Sequence, residues 1–329
     1  MNDLRLPLGE WAEDVVDVIT DVFQPLFDVI RTVFLGLYDG VDWVLSTPPF
    51  WVVIIVAAAL AFMVKGWKLA VGSVLGFVVI QLVGQWANAM DSLALVLVAG
   101  LVAVVVSVPV GILAARSQVA STIVKPILDF MQTMPAFVYL IPALILFRVG
   151  VVPGIVATII FAMAPGVRLT ELGIRGVDRE VVEAGQAFGA SPGRILRQIQ
   201  LPLALPTIMA GINQVIMLAL SMVVIAGMVG AGGLGGEIVA SLNRIDIGLG
   251  FEAGLSVVIL AIFLDRVTAS FGTRGAKRSA TKSVDEKPAA NGSGEGADDD
   301  TRRDTRDEAR DEAERVGGGG PRRAPTMGG

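Results

Sequence analysis

The sequence predicts an all-α fold, a polytopic bundle of about six or seven membrane-spanning helices. Hydrophobic residues make up 53% of the 329-residue chain and charged residues only 17%, whereas a typical soluble domain has about 25% charged residues. Several runs of about 16–22 residues carry almost no charge, which is the length of helix that crosses a hydrocarbon layer about 30 Å thick. The apolar surplus therefore belongs in membrane spans.

The chain contains neither Cys nor His. This excludes disulfides, thiolate nucleophiles, Cys/His metal sites and acid–base catalysis by His. The amino-terminal segment, MNDLRLPLGEWAEDVVD, is acidic and lacks a basic stretch followed by an apolar one, so we expect no cleavable signal peptide. We predict a protein that is not an enzyme and that has no catalytic residues, no metal site and no cofactor of its own.

Charge and composition divide the chain into three regions. Residues 1–49 hold two basic and nine acidic side chains, and their apolar residues recur at helical spacing. We predict an external acidic segment of one or two amphipathic helices, with Pro25 as a kink. Residues 50–272 form the predicted membrane domain. Residues 273–329 have almost no large apolar side chain to offset the entropy lost on ordering, which predicts a disordered cytoplasmic tail.

The membrane domain contains seven candidate spans, of which the first two are short and lie close together. These two either form a tight helical hairpin or include one partial span. The predicted spans cover residues 50–64, 69–85, 93–115, 135–150, 153–168, 205–229 and 251–268.

Basic residues indicate the orientation, because the cytoplasmic loops of membrane proteins are enriched in Lys and Arg. If the first span runs inward, only Arg148 and Arg244 of the basic residues in this domain are external. The basic residues that are then cytoplasmic are Lys65, Lys68, Arg116, Lys125, Arg168, Arg175, Arg179, Arg194, Arg197 and Arg266. We expect a multi-pass protein of the plasma membrane with its N-terminus outside and its C-terminus in the cytoplasm.

A polar, turn-rich stretch at residues 178–202 interrupts the apolar pattern, and from Glu183 it reads EAGQAFGASPGRILRQIQLP. Composition alone leaves two interpretations open. The stretch is either an amphipathic loop on the lipid headgroups or a helix–turn–helix that projects from the membrane toward a partner protein.

Turn chemistry within the stretch favours two short helices. Asp178 is placed to cap the first helix, and Gly189 is placed to end it in a left-handed conformation. Ser191 and Pro192 suit the cap and the first position of the second helix. We expect Pro202 to stop that second helix.

The spacing in this stretch resembles the EAA loop of ABC importer permeases, which reads Glu-Ala-Ala, three residues, Gly, nine residues and Ile-x-Leu-Pro. The matching residues are Glu183, Ala184, Gly185, Gly189, Ile199, Leu201 and Pro202, with Arg194 on a charged rim. Gly185 departs from the third position of the pattern but keeps it small. In that family the loop is the coupling helix, so the resemblance implies that these residues seat in a cleft of a cytoplasmic ATPase subunit.

Further segments look like the glycine betaine/proline branch of these permeases. They are residues 127–142 (ILDFMQTMPAFVYLIP), 203–221, 230–236 and 246–254. The resemblance implies the type I ABC permease fold and a permease subunit of an ATP-driven importer for glycine betaine, proline, choline and similar solutes. It also implies a homodimer, an ATPase subunit that binds ATP and Mg²⁺, and an extracytoplasmic substrate-binding protein, with no nucleic-acid partner.

Four glycines mark a turn after the sixth predicted span. Gly230, Gly232, Gly233 and Gly235 lie in GAGGLG, which matches GxGxxG, but a dinucleotide site requires this pattern between a strand and a helix. Here it follows a long apolar helix, so we predict an external turn or gate hinge. No GxxxxGK[ST] occurs in the chain, and we expect ATP to bind another polypeptide.

Polar residues in or beside the predicted spans are candidates for a translocation path, because such groups are costly within a membrane. Hydrogen bonding between helices explains any single one equally well. The candidates are Gln132, Thr133, Met134 and Pro135 at a span entrance, and Asn213, Gln214 and Ser221. The predicted spans offer few aromatic residues and no buried acid, so we expect a weak, uncharged conduit.

Two alternatives remain open. A permease for methionine or another amino acid would share the EAA loop but not the QTMPAFVYLIP segment. An ion-coupled secondary transporter would need no ATPase, but it usually carries ionisable residues at mid-membrane and inverted repeats, and we find neither pattern. The sequence does not rank glycine betaine against choline, carnitine and proline.

Overall fold

The computed structural model describes the backbone of residues 8–284 and the side chains of residues 10, 11, 14 and 16–270. All regular structure in this part of the chain is helical, including a 3-10 turn at Ala136–Tyr139 and a π-turn at Leu196–Gln200. The α-helices are α1 (Leu8–Ser46), α2 (Phe50–Lys65), α3 (Trp67–Leu82), α4 (Trp86–Arg116), α5 (Gln118–Thr133), α6 (Leu140–Phe147), α7 (Val151–Arg175), α8 (Arg179–Ala187), α9 (Pro192–Ile195), α10 (Leu201–Gly227), α11 (Gly233–Arg244) and α12 (Ile247–Val284).

Helices α4, α7 and α10 form the centre of the bundle and supply much of its main buried cluster. They meet at Gly166 of α7. A Cβ added there would lie 2.4 Å from the Ser107 Oγ of α4 and 2.9 Å from the Val215 Cγ2 of α10. Lipid tails are as apolar as leucine side chains, so membrane helices associate by close packing of small residues rather than by hydrophobic burial. Gly166 therefore sets how closely the three helices approach.

Four stretches are long and apolar enough to cross a membrane, namely α4, α7, residues 192–227 and residues 247–270. Two bent pairs raise the number of crossings to as many as six within the described residues: α1 with α2, bent by 98°, and α5 with the 3-10 turn and α6, bent by 107°. The all-α membrane bundle is confirmed. Helix α3 is only 16 residues long, which is about 24 Å and short of the ~30 Å hydrocarbon layer.

The prediction of a separate span at 135–150 is wrong, because the helical part is only Ala136–Phe147 and can cross the membrane only together with α5, as one bent pair. Helix α5 ends at Thr133, and the chain turns at Met134, which has an extended backbone with ψ of 139°. The cause is Pro135, because the ring of a proline disfavours the helical conformation in the residue before it. The amphipathic helix α5 lies at Gln118–Thr133, where no span was predicted.

Helix α1 runs through Pro25 without ending and packs on the membrane domain by its second half. Phe34, Tyr38 and Val41 lie against the main core cluster. The Phe27 ring contacts that of Phe147 edge-on, with centroids 5.6 Å apart. The second half of this amphipathic helix therefore packs on the chain's own helix bundle.

The region boundary predicted at residue 49 coincides with a break between helices, whereas the one predicted at residue 272 lies inside a helix. Helix α1 ends at Ser46 and α2 begins at Phe50, on either side of the boundary that we place at residue 49. Helix α12 continues through the predicted boundary at 272 as far as Val284. The rest of the predicted tail, residues 285–329, lies outside the described residues, and the three-region division stays a prediction.

Helices α10 and α11 touch backbone to backbone at the end of the bundle that carries α11. A Cβ on Gly235 would lie 2.1 Å from the Val223 carbonyl oxygen, and one on Gly227 would lie 2.3 Å from the Gly235 carbonyl carbon. A Cβ on the neighbouring Gly236 would meet nothing within 4 Å. Position 235 therefore requires glycine for close packing and position 236 does not.

We predict that Gly235→Ala lowers stability and that Gly236→Ala does not. Overpacking a well-packed site costs about 1–3 kcal/mol, and rigid backbone at 235 leaves little room to relax. The thermal unfolding midpoint of the purified protein in detergent measures the difference. Equal midpoints for the two variants would contradict the contact.

Candidate coupling loop and translocation path

The first half of the predicted loop is a helix capped at both ends. The Asp178 side chain accepts a hydrogen bond at 3.0 Å from the backbone N–H two residues later, at the start of α8. At its other end Gly189 has φ of +78° and donates to the Gln186 carbonyl at 2.8 Å. The Ala190 N–H donates to the Gly185 carbonyl at 3.1 Å, which completes a Schellman motif. The caps predicted at Asp178 and Gly189 are confirmed.

The second half of the loop runs into α10 without a break. Ser191 is extended and Pro192 takes the first position of α9, as predicted. A π-turn follows, in which the Leu201 N–H donates to the carbonyl five residues earlier. The prediction that Pro202 stops this helix is wrong. A wider turn gives the proline ring room, whereas a regular α-turn would set it against a carbonyl.

Gly185 allows the two halves of the loop to pack together. A Cβ on Gly185 would lie 2.6 Å from the Ile199 Cδ1 and 3.7 Å from the Ile195 Cγ1. An alanine, as in the EAA pattern, would collide with the Ile199 side chain in its present position. Gly185 therefore leaves the end of the Ile199 side chain space that an alanine would occupy.

The loop is anchored to the bundle by two buried residues, Ile195 and Leu196. Leu196 packs with Ile174 of α7 and with Ala204 and Ile208 of α10. These contacts join the loop to the ends of two of the three central helices. A displacement of the loop would therefore displace those helix ends.

The opposite surface of the loop is exposed and mixes apolar with charged side chains. Phe188 at its tip is 92% exposed, and Val181 is also exposed. Glu183, Ala184 and Arg194 are exposed beside them. Exposed apolar side chains rimmed by charge are typical of a surface that binds another protein.

Basic residues gather where the loop meets the ends of α4 and α7. A cleft of about 490 Å³ is lined by Arg116, Arg194 and Arg197. A second cleft of about 450 Å³ is lined by Arg116 and Arg175. This end of the bundle, called the loop end below, is therefore basic.

The first group of predicted path residues, 132–135, lies at the bend after α5. Met134 is partly buried and the other three residues are exposed. Met134 packs in a cluster with Met222 of α10. Across the bend, the Tyr139 hydroxyl donates a hydrogen bond to the Met131 carbonyl. The bend therefore packs against α10 and is stabilised by the hydrogen bond between Tyr139 and Met131.

Asn213, a predicted path residue on α10, is engaged with α12. Its Nδ2 donates to the Asp265 Oδ1 at 3.2 Å, and its Oδ1 accepts from the Thr268 hydroxyl. Hydrogen bonding between helices, the alternative to a path, accounts for this residue.

Gln214 and Ser221 lie on a different face of α10. They are seven residues apart, which places them on one side of a helix, and both are exposed. The next residue after Ser221 is Met222, which packs with Met134. Ser221 therefore neighbours, along α10, a residue that packs at the 132–135 bend, and Asn213 is bonded to α12 instead.

The predicted glycine turn has positive φ angles at three of its glycines. Gly230, Gly232 and Gly233 have φ of +81°, +73° and +61°, a region that glycine enters without steric cost. The Leu234 N–H donates to the Ser92 Oγ of α4 at 2.8 Å, which fixes the turn to a central helix. Gly235 serves instead in the close contact with α10. A gating role for these glycines stays a prediction.

A buried acid beside the loop was missed, because the predicted span ended at 168 whereas α7 continues to Arg175. The Glu171 side chain is 6% exposed. Its Oε1 accepts from the Ser121 hydroxyl at 2.7 Å and lies 3.3 Å from the Lys125 Nζ and 3.0 Å from the Arg175 Nε. The available signal was the four-residue spacing of Glu171 and Arg175, which favours an ion pair on a helix.

Residues 107–275 match the family of binding-protein-dependent transport system inner membrane components. The chain belongs to this permease family. The matched segment contains the loop, the bend after α5 and the glycine turn. The predicted resemblance to ABC importer permeases is confirmed.

Curated relatives extend the similarity beyond that segment. The permease is 48% identical over 277 residues to the glycine betaine/carnitine transport permease protein GbuB of Listeria monocytogenes serotype 1/2a (strain 10403S), covering 83% of this chain and 98% of that protein. It is 46% identical to the glycine betaine/proline betaine transport system permease protein ProW of Escherichia coli (strain K12), covering 83% of this chain and 78% of that protein. The resemblance to the glycine betaine/proline branch is therefore confirmed.

A solved structure shares the fold. A chain of the MetNI methionine ABC transporter in an inward-facing conformation superimposes with a TM-score of 0.52 at 22% identity. The match covers 56% of the permease and 93% of that chain. This similarity shows the ABC importer permease fold and carries no information about the transported solute.

We predict that Gly185→Ala and Ile199→Val compensate for each other in the permease. Alone, Gly185→Ala places a Cβ 2.6 Å from the Ile199 Cδ1, so the end of the Ile199 side chain must move aside. Ile199→Val removes that methyl group and leaves a gap, at a cost of about 0.5–1.5 kcal/mol. The double variant should therefore unfold at a higher temperature than the sum of the single effects implies, as measured by thermal unfolding in detergent. Additive effects would contradict direct packing of the two residues.

Proposed function

We propose that this permease is the membrane subunit of an ATP-driven ABC importer for glycine betaine and related compatible solutes. It works with a cytoplasmic ATPase subunit, which binds ATP and Mg²⁺, and with an extracytoplasmic substrate-binding protein. The observation that carries the proposal is the similarity of 46–48% over 83% of the chain to permeases named for glycine betaine transport. The permease itself catalyses no covalent chemistry.

The coupling role of the loop is supported by its exposure and its anchorage. Phe188, Val181 and Glu183 face away from the bundle, as a surface for an ATPase would. Leu196 holds the loop to α7 and α10. Movement of an attached ATPase would thus reach the central helices through a packed contact, and the spans would alternate between outward and inward access.

A homodimer is supported by the exposed polar stripe on α10. Polar side chains in a membrane face the interior of a bundle or a water-filled cavity rather than lipid. Gln214 and Ser221 are exposed in the single chain; the Ser221 hydroxyl donates to the Met217 carbonyl of its own helix, so Gln214 is the residue that favours cover by another surface. We propose that a second copy of the permease provides this cover and that the translocation path runs between the two copies, past the 132–135 bend.

The orientation is supported by the basic loop end. Arg116, Arg175, Arg194 and Arg197 line the two clefts beside the loop, and cytoplasmic surfaces of membrane proteins are enriched in basic residues. We propose that the loop end faces the cytoplasm, with the N-terminus outside and the C-terminus inside.

The solute determines what the path must provide. A quaternary ammonium group donates no hydrogen bond, so tight binding requires aromatic faces for the cation and donors for the carboxylate. The candidate path residues at 132–135, Gln214 and Ser221 include no aromatic side chain. We propose that affinity resides in the binding protein and that the permease provides a weak, uncharged conduit.

We predict that vesicles containing the permease, its ATPase and its binding protein take up labelled glycine betaine when ATP is supplied to the ATPase. Omitting the binding protein or the ATPase should abolish uptake, because neither tight binding nor ATP hydrolysis belongs to this chain. Excess unlabelled methionine should not compete. Competition by methionine without uptake of glycine betaine would reject the proposed solute but not the permease family.

We predict that a reporter active only in the cytoplasm is active when fused after residue 271 and inactive when fused after residue 42. The expectation follows from the basic loop end, because a cytoplasmic loop end leaves the C-terminal end of the membrane domain inside and its N-terminal end outside. Reporter activity in cells measures it, and the opposite pattern would invert the orientation and place the loop outside.

A further inference from the structure

A row of polar contacts joins α5 to the last two turns of α7. On α5 the contacting residues follow one another at intervals of three or four, which places them on one face of the helix. The pairs are Gln118 with Arg175, Ser121 with Glu171, Lys125 with Glu171, and Asp129 with Arg168. The two helices are therefore joined along about three turns of α5.

Glu171 is the centre of this row. A single oxygen of its buried carboxylate receives the Ser121 hydroxyl and lies within 3.3 Å of both Lys125 and Arg175. A buried carboxylate is costly without partners, and charge-assisted contacts hold their groups in fixed geometry. The contacts of Glu171 therefore define the position of α5 against α7 more strictly than the exposed pair of Asp129 and Arg168 does.

Arg175 carries the same connection to the start of the coupling loop. Besides Glu171, its guanidinium donates to the Ala114 carbonyl at the end of α4 at 2.8 Å. Asp178, which caps the first helix of the loop, follows three residues later. The segment from which the loop emerges is therefore held directly to α4 and α5.

Helix α5 connects this segment to the candidate path. It contains Pro126, which lacks an N–H and so leaves one backbone hydrogen bond of the helix unmade. Lys125, just before this weak point, pairs with Glu171 of α7, and Leu128, just after it, packs in a buried cluster with Ala164 and Val167 of α7. Helix α5 then ends at the 132–135 bend. With both sides of the proline braced, α5 can move with α7 as one body.

We infer that Glu171 is a positioning residue that transmits displacement of the coupling loop to the 132–135 bend by clamping α5 to α7. The inference rests on the proposed function, since it assigns the linkage between ATPase and path. Removing the clamp should leave the ATPase able to hydrolyse ATP while the bend no longer follows the loop.

The test compares Glu171→Gln with Asp129→Asn. Glu171→Gln keeps the size of the side chain and an acceptor for Ser121 but removes the charge that holds Lys125 and Arg175. Asp129→Asn is the matched control, because it alters the exposed pair between the same two helices. Glycine betaine uptake and ATP hydrolysis are measured on the same vesicles, which contain the full permease, its ATPase and its binding protein.

We expect Glu171→Gln to lower the uptake per ATP hydrolysed by about fivefold or more, the lower range of coupling between distant sites. The rate of ATP hydrolysis with Glu171→Gln should stay within about twofold of wild type. The uptake per ATP of the Asp129→Asn control should also stay within about twofold, because that variant alters only an exposed pair. An unchanged ratio in Glu171→Gln would overturn the inference. So would a parallel loss of uptake and hydrolysis, which indicates a structural role alone.

A distance measurement decides the inference without any solute. The chain has no Cys, so spin labels can be placed only at introduced cysteines, Ile123→Cys on α5 and Arg179→Cys on α8, both exposed. Complexes are assembled with excess unlabelled permease and measured without nucleotide and with a non-hydrolysable ATP analogue.

With Glu171 present, the distance between the labels should be the same in both states, and with Glu171→Gln it should change. A change in both proteins, or in neither, would overturn the inference. If the wild-type complex takes up no glycine betaine, the proposed function fails, and the distances still support or overturn the clamp.

Discussion

In lipid, hydrophobic burial does not drive helices together, so the bundle depends on close packing between helices. Glycine residues make that close packing possible. At Gly166 one missing Cβ allows α4, α7 and α10 to meet. At Gly227 and Gly235 the backbones of α10 and α11 are in direct contact. The loop and the glycine turn attach to this centre through Leu196 and the Ser92 hydroxyl. The loop and the glycine turn are therefore both fixed to the three central helices.

Strong polar contacts serve a different purpose in this bundle. Glu171, Lys125 and Arg175 brace helices at the loop end, and Asn213 joins α10 to α12 through Asp265 and Thr268. Each of these side chains is already bonded within the bundle, so few of its donors or acceptors remain free to bind a solute. Within the part of the chain that the structure describes, Gln214 and Ser221 make no such contact with a neighbouring helix and are exposed in the single chain. The polar groups that brace the bundle therefore differ from those that we propose for the path.

Features that depend on residues close together in sequence were predicted correctly, and features that depend on backbone geometry at proline were not. The caps at Asp178 and Gly189 were correct, because a cap depends on a side chain and a backbone within a few residues. The separate span at 135–150 was wrong, because hydropathy ignores the restriction that Pro135 places on Met134 and so misses the bend after α5. The helix stop at Pro202 was wrong for a related reason, since a π-turn absorbs the ring. Both errors concern proline in apolar sequence, where composition and backbone geometry disagree.

By itself the sequence determined the membrane class, the spacing of the loop motif and the family that this spacing resembles, because these depend on composition and on neighbours along the chain. Only the tertiary structure decided that Glu171 is buried between two helices, that Gly185 faces Ile199, and that Gln214 is exposed while Asn213 is bonded. Adjacent residues on a helix point about 100° apart. Which of them meets a neighbour is set by helix packing, and packing joins residues far apart in sequence.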